Sequence, residues 1–236
     1  RNNPEREVVL KKSLLVVFVV LIIDQALKIW IKTNMTLGQE FHVAGNWFII
    51  HFTENNGMAF GMQFAGGYGK LALSLFRIFA VGFLGWYIVH LSRKKTSFGV
   101  ILCFSLILAG AIGNIIDSAL YGLLFSESTY FDVARFLPAE GGYSSFLHGK
   151  VVDMFYFPII VGNYPSWVPF WGGQDFEFFR PVFNVADSAI TTGVLSLLIF
   201  QRQFFHSQDE KTGENSSQEN NNPPAEPADN KTAADE

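Results

Sequence analysis

Two stretches, "GKVVDMFYFP" at 149–158 and "FNVADSAITT" at 183–192, each place one aspartate, Asp153 and Asp187, inside an otherwise apolar run. A carboxyl group in such surroundings is partly desolvated, which raises its pKa from the usual value of about 3.9. Two such groups brought close share a proton. One carboxylate then takes a proton from water while the other, protonated, donates to a carbonyl oxygen, and a peptide bond treated this way is cleaved. Each aspartate also has a structural reading. Asp187 lies one turn after Asn184 and just past Pro181, near an expected helix start, where a carboxylate caps the helix or complements its dipole. Asp153 is compatible with an exposed loop, and spacing alone does not show that the two groups meet.

Other polar groups interrupt apolar runs. Asp24 and Lys28 stand four apart, the spacing of an ion pair on one helix face. Gly110, Gly113, Asn114 and Asp117 recur at three- and four-residue spacing, a face suited to close helix packing with hydrogen bonds across the interface. Structural and functional roles stand side by side for these residues. A small transporter or channel would use Asp24, Lys28 and Asp117 as an intramembrane ion pathway, and a non-enzymatic assembly factor is a third class. Asp153, Asp187 and Asn55 fall towards one membrane face, which favours interfacial chemistry over a midplane pathway.

The elements that must position these residues follow from composition. Of 236 residues 49% are hydrophobic, 16% aromatic and only 16% charged, which points to a membrane. Windows long enough to span hydrocarbon occur at about 13–32, 71–91, 99–125 and 182–204. The predicted fold is therefore mainly α and integral to the membrane: four transmembrane helices, a small outer β element and a long outer loop. The first window contains Asp24 and Lys28 and lacks a following small-x-small site, so it reads as an anchor. Basic residues at Arg6, Lys11, Lys12, "SRKK" (92–95) and Arg202 put both termini in the cytoplasm. Segments 33–70 and 126–181, with Trp47, Trp167 and Trp171, then lie outside. In the first, Phe48, Ile50 and Phe52 alternate with Trp47, Ile49 and His51 before Asn56-Gly57, a strand entering a turn. The second shows no clear period, and its length and glycines suggest a mobile interfacial lid.

The net charge of −4 conceals an uneven distribution. Residues 207–236 hold eight acids against Lys211 and Lys231, so this tail carries −6 and the body +2. The expected organisation is a membrane domain over 1–206 and a disordered acidic cytoplasmic tail over 207–236. The single Cys103 excludes an intrachain disulfide. Nothing suggests nucleic-acid binding, and His148, five residues before Asp153, reads as a loop histidine because no third metal ligand is evident.

In order along the chain, "DQALK" (24–28), "NNGMAFG" (55–61), "GNIID" (113–117), "VVDMF" (151–155) and "FNVADSAI" (183–190) resemble the signal peptidase II (lipoprotein signal peptidase) family over residues 24–190. The resemblance implies a bacterial inner-membrane aspartic endopeptidase that removes the signal peptide from diacylglyceryl-modified prolipoproteins, just before the lipid-modified cysteine. It makes Asp153 and Asp187 the catalytic dyad at the periplasmic face. Asn55, Asn114 and Asn184 bind substrate or orient the dyad, and Asp24, Lys28, Asp117 and Gly57 support it. It implies no cofactor and no metal, a prolipoprotein and the phospholipid bilayer as partners, and a monomer. The sequence departs from the family in having Ser118 where an arginine commonly follows "GNxxD", and in an expanded interval, 119–150, before "VVD". A cationic fork able to bind carbonyl or lipid oxygens is thus absent at 118. Arg135, Lys150 and Arg180 are candidates to replace it.

Overall fold

A computed structural model describes residues 4–56, 66–94, 96–158, 160–178 and 181–200. Gly57, Arg180, the "GMAFG" part of the second motif, residues 201–204 of the fourth window and the tail 207–236 lie outside them.

Among the described residues three helices are long and apolar enough to cross a membrane: α1, Pro4–Asn34; α2, Gly66–Arg93; and α3, Phe98–Leu124. A fourth apolar helix, α4, Val185–Phe200, is shorter within the described residues. Leu14, Leu15, Phe18, Phe76, Phe79 and Ile199 stand exposed on these helices, as lipid-facing side chains must. α1 starts well before the apolar window and carries Glu5 and Glu7 in its first turn, where acids favour the helix dipole. α3 packs on both α1 and α2. Small residues bring it close to α4: a Cβ on Gly110 would lie 2.1 Å from the Ala186 carbonyl oxygen.

The outer strand predicted before Asn56 is β2 (Phe48–Asn55), paired antiparallel with β1 (Glu40–Ala44) and with β3 (Val151–Tyr156). β6 (Val182–Phe183) completes a sheet of order β1-β2-β3-β6, with β4 (Ile160–Asn163) and β5 (Asp175–Phe178) forming a separate hairpin. The simple alternation expected along β2 breaks at a register shift between Ile50 and Thr53, so Ile49 and Phe52, three apart, are both buried. A bulge bends a strand and re-aims its side chains. Beyond it, Phe52 turns onto an apolar core made with Ile31, Met35, Tyr121, Phe125, Val152 and Met154, and Thr53 and Asn55 turn to the opposite face with Asp153.

The first half of the long outer segment is laced to the end of α3. That end contains a π turn, Asp117–Tyr121, whose wider winding redirects backbone carbonyls. Gly149 N–H donates to Ser118 O at 2.8 Å, Ser144 N–H to Gly122 O at 2.8 Å and Tyr143 N–H to Phe125 O at 3.0 Å. Any Cβ at Gly149 would lie 2.2 Å from Asp117 O. Behind β2, Lys32 and Glu54 form a buried ion pair that Ser128 joins, with hydrogen bonds to Lys32 Nζ at 2.8 Å and Glu54 Oε1 at 2.9 Å. These contacts fasten 126–150 to the core, in contrast with a freely moving lid. The second half exposes Trp167, Phe170 and Trp171 around the β4–β5 hairpin, aromatic residues suited to a membrane interface.

Candidate active site

Asp153 lies on the central strand β3 with 3% of its surface exposed. Its neighbours across the sheet are Thr53, directly opposite, and Asn55, the diagonal partner on the same face. Asn55 donates a side-chain hydrogen bond to Asp153 Oδ2, and Asn184 Nδ2 donates to Oδ1 at 2.7 Å. Burial, and after it the charge of Asp187, raises the Asp153 carboxyl from 3.8 to about 8. The amide bond from Asn184 opposes that rise by favouring the ionised form.

Asp187 sits in the first turn of α4, and its structural reading proves correct without excluding another role. Asn184 Oδ1 accepts from Asp187 N–H at 2.9 Å, while Asp187 Oδ2 accepts from Asn184 N–H at 3.4 Å, a reciprocal capping arrangement. Asp187 Oδ1 accepts from Asn114 Nδ2 at 2.8 Å. One asparagine, Asn184, is therefore hydrogen-bonded to both aspartates.

A buried ionic layer holds this unit from below. Lys28 Nζ contacts Asp117 Oδ2 at 2.7 Å, Asp24 Oδ2 at 3.0 Å and Asn114 Oδ1 at 3.0 Å, with both ion pairs fully buried. A lysine without such partners would not remain charged there. Asp24 Oδ1 accepts from Ala186 N–H at 2.9 Å, so the acid on α1 caps the helix that carries Asp187. Asp117 Oδ1 accepts from Gln25 Nε2 at 2.9 Å, and Gln25 Oε1 accepts from Tyr121 at 3.1 Å. Asn114 passes the order upward: its Oδ1 meets Lys28 and Asn184, its Nδ2 meets Asp187.

The structure thus brings together Asp153, Asp187, Asn55, Asn114, Asn184, Asp24, Lys28 and Asp117. Chemically, it is a pair of carboxyl groups at the end of a helix bundle, held by amide donors, with one proton disfavoured from leaving Asp153. Two acids in such a setting suit proton transfer to and from a water and a carbonyl. Of the expected substitutes for an arginine at 118, the two within the described residues, Arg135 and Lys150, pair elsewhere, and Arg180 lies outside those residues. Arg135 is exposed and pairs with Glu140 at 3.9 Å, and Lys150 pairs with Glu127 at 3.2 Å and Glu54 at 3.7 Å. Ser118 Oγ bonds back to Asn114 O at 3.0 Å.

The family pattern described as Signal peptidase (SPase) II matches residues 16–203. The chain belongs to the signal peptidase II family. It is accordingly a peptidase, and its long apolar helices make it a multi-pass membrane protein. Similar proteins include the lipoprotein signal peptidase of Porphyromonas gingivalis, 53% identical over 184 residues that cover 78% of this chain and 79% of that one. The lipoprotein signal peptidase of Amoebophilus asiaticus is 39% identical over 184 residues, 77% of this chain and 73% of its own. A solved bacterial membrane enzyme, determined by the in meso method at 2.3 Å resolution, superposes with a TM-score of 0.53 at 25% identity, covering 82% of this chain and 88% of that one. Within this signal peptidase II chain, sequence reasoning missed Gln25 and Tyr121. Gln25 adjoins Asp24 in "DQALK", and an amide in the middle of an apolar helix was the available signal.

Proposed function

We propose that this chain is an aspartic signal peptidase that cleaves the signal peptide from diacylglyceryl-modified prolipoproteins, just before the lipid-modified cysteine, with Asp153 and Asp187 as the catalytic dyad. The observation that carries the reading is the double engagement of Asn184, bonded to Asp153 Oδ1 at 2.7 Å and reciprocally to Asp187. Around that amide one carboxyl is protonated and one ionised. The ionised group takes a proton from a water as its oxygen attacks the scissile carbonyl, and the protonated group gives its proton to the carbonyl oxygen. The resulting gem-diol collapses as its nitrogen takes the proton that the base collected from water, a hydroxyl returns its proton to the other carboxylate and the C–N bond breaks, giving a free carboxyl, a free amine and the dyad in its starting state. No covalent enzyme intermediate forms, and the pair titrates as a unit.

Asn55 and Asn184 hold the Asp153 oxygens, Asn114 orients Asp187, and Asp24, Lys28 and Asp117 fix the helix starts beneath them. Gly57, in the "NNGMAFG" motif, keeps the supporting role that the resemblance implies. The basic segments Arg6, Lys11, Lys12 and 92–95 support four crossings with both termini cytoplasmic and the dyad at the periplasmic face of the inner membrane. Residues 1–206 form the membrane domain of a monomer, and 207–236 a cytoplasmic tail.

The test is cleavage of a lipid-modified prolipoprotein by purified Asp153→Asn, Asp187→Asn and the double variant, normalised to folded protein. Each single change should nearly abolish product, and the double should add little, because acid–base partners act together. Substantial turnover by either single variant sinks the dyad.

A further inference from the structure

The face of the sheet that carries Asp153 continues past it as an apolar floor. Side chains alternate between the faces of a strand, so Phe155 shares the face of Asp153, one two-residue step of roughly 7 Å away. The register carries that row across all four strands. Phe41 on β1 stands opposite Ile50 on β2, Ile50 opposite Phe155 on β3, and Phe155 opposite Phe183 on β6. One step further out the rings of Phe48 and Phe157 stack at 4.8 Å with an interplanar angle of 4°. The Phe183 ring lies 5.8 Å from Phe157 and 6.0 Å from Phe155, which joins the two rows into one surface. The row of Thr53 and Asp153 is polar, and the two rows beyond it are apolar.

This floor is not the core of the sheet. Val152 and Met154, on the opposite face of β3, pack with Ile31, Met35 and Tyr121, whereas Phe41 is 64% exposed and Phe48, Phe155, Phe157 and Phe183 are half-buried. Ile50 and Phe155 also reach core residues, which holds the inner row in place. A contiguous apolar surface beside a polar row marks a binding surface, and its chemistry selects the ligand. A sheet face offers side chains and no backbone hydrogen bonds, so a peptide laid across it would leave its N–H and C=O groups without partners. A hydrocarbon chain has none to satisfy. The floor also meets the bilayer at the dyad, because Phe183 runs directly into Asn184 and α4, where Leu195, Leu198 and Ile199 stand exposed as lipid-facing side chains do. In the proposed reaction the scissile bond lies just before the lipid-modified cysteine, so the glyceryl thioether starts within a few bonds of the carbonyl held at Asp153. We infer that this aromatic floor is the subsite for the acyl chains of the substrate's diacylglyceryl group, seating the part of each chain nearest its ester. This rests on the peptidase reading above.

The experiment is photocrosslinking of the full chain in detergent micelles. The probe is a prolipopeptide whose cysteine carries a diacylglyceryl group with a diazirine a few carbons below one ester. It is irradiated with wild type during turnover and with Asp187→Asn, which holds the uncleaved substrate, and the adducts are located by mass spectrometry. They should concentrate on β2, β3 and β6 around Phe48, Phe155, Phe157 and Phe183. The double variant Phe48→Thr/Phe157→Thr, in which threonine keeps strand propensity, should lose most of the adducts on the sheet and raise KM more than it lowers kcat. Phe131→Thr, at a ring 91% exposed outside the floor, should keep the wild-type adduct pattern. Adducts confined to the lipid-facing sides of the helices, adducts absent from the protein while wild type cleaves the probe, or a sheet pattern unchanged in the folded threonine pair would each overturn the inference. The adduct map of wild type decides the matter even where the threonine pair does not fold. Failure of wild type to cleave any lipid-modified prolipoprotein would refute the peptidase reading instead, which keeps the two failures apart.

Discussion

Asp153→Asn should abolish cleavage and yet make the fold less sensitive to alkaline pH than wild type. Burial, then the charge of Asp187, raises the folded-state carboxyl from 3.8 to about 8. Between those values the folded protein retains a proton that the unfolded chain has released. Stability from this group is therefore highest below its ordinary pKa and declines as pH rises towards about 8, the reverse of a salt-bridged aspartate. At about 1.36 kcal/mol per unit the full penalty is at most roughly 6 kcal/mol, of which about 4 accrues between pH 5 and pH 9. Sharing of the proton with Asp187 reduces the figure, so we take about 1 kcal/mol as the smallest increment consistent with the site.

Asparagine removes the titration and keeps the shape. It introduces a separate term, because Asn55 and Asn184 both donate to the Asp153 oxygens and one of them must now face an N–H. Asn184 is held by Val152 O at 3.1 Å and by Asp187 N–H, and the amide that turns its N–H away costs about 1–3 kcal/mol. That term does not depend on pH and cancels when two pH values are compared. The assay is thermal unfolding in detergent followed by tryptophan fluorescence, wild type beside Asp153→Asn, at pH 5 and pH 9. At about 2–4 °C per kcal/mol for a chain of this size, Tm of the variant relative to wild type should rise by at least ~2 °C from the lower pH to the higher. A Tm difference that is constant or shrinks with pH would refute a carboxyl whose burial opposes its ionisation.

Three further outcomes follow from the packing. Lys28→Met leaves Asp24 and Asp117 buried without their cation and should destabilise by about 3–5 kcal/mol, visible as lost folded yield and a lower Tm in detergent. Gly110→Ala drives a Cβ to within 2.1 Å of the Ala186 carbonyl and should lower both Tm and cleavage, whereas Gly82→Ala, with nothing within 4 Å, should leave both unchanged; equal effects in a paired measurement would contradict the α3–α4 contact. A reporter fused after Gln208 should register as cytoplasmic, and periplasmic labelling of that fusion would move the proposed dyad to the wrong side of the membrane.

The parts of this site that were legible in the sequence are those written locally. Asn184 and Asp187 stand at the spacing of a capping box, Asp24 and Lys28 at the spacing of a helical ion pair, and Gly110, Gly113, Asn114 and Asp117 on one helical face. Helices α1, α2 and α3 followed from hydropathy, and β2 from its apolar alternation up to the bulge. The bulge was hidden because it is set by the partner strand: Thr53 opposes Asp153 only once β3 is in place. The segment 126–150 lacked a period because backbone bonds to the π turn, rather than a side-chain stripe, hold much of it. Lys32 and Glu54 lie far apart in sequence on a helix and a strand, and no local rule pairs them. The Ser118 hydroxyl, at the position on α3 where the family commonly has arginine, bonds back to the Asn114 carbonyl of its own helix, so a side chain too short to reach across the bundle stands where the resemblance expects a long cationic one.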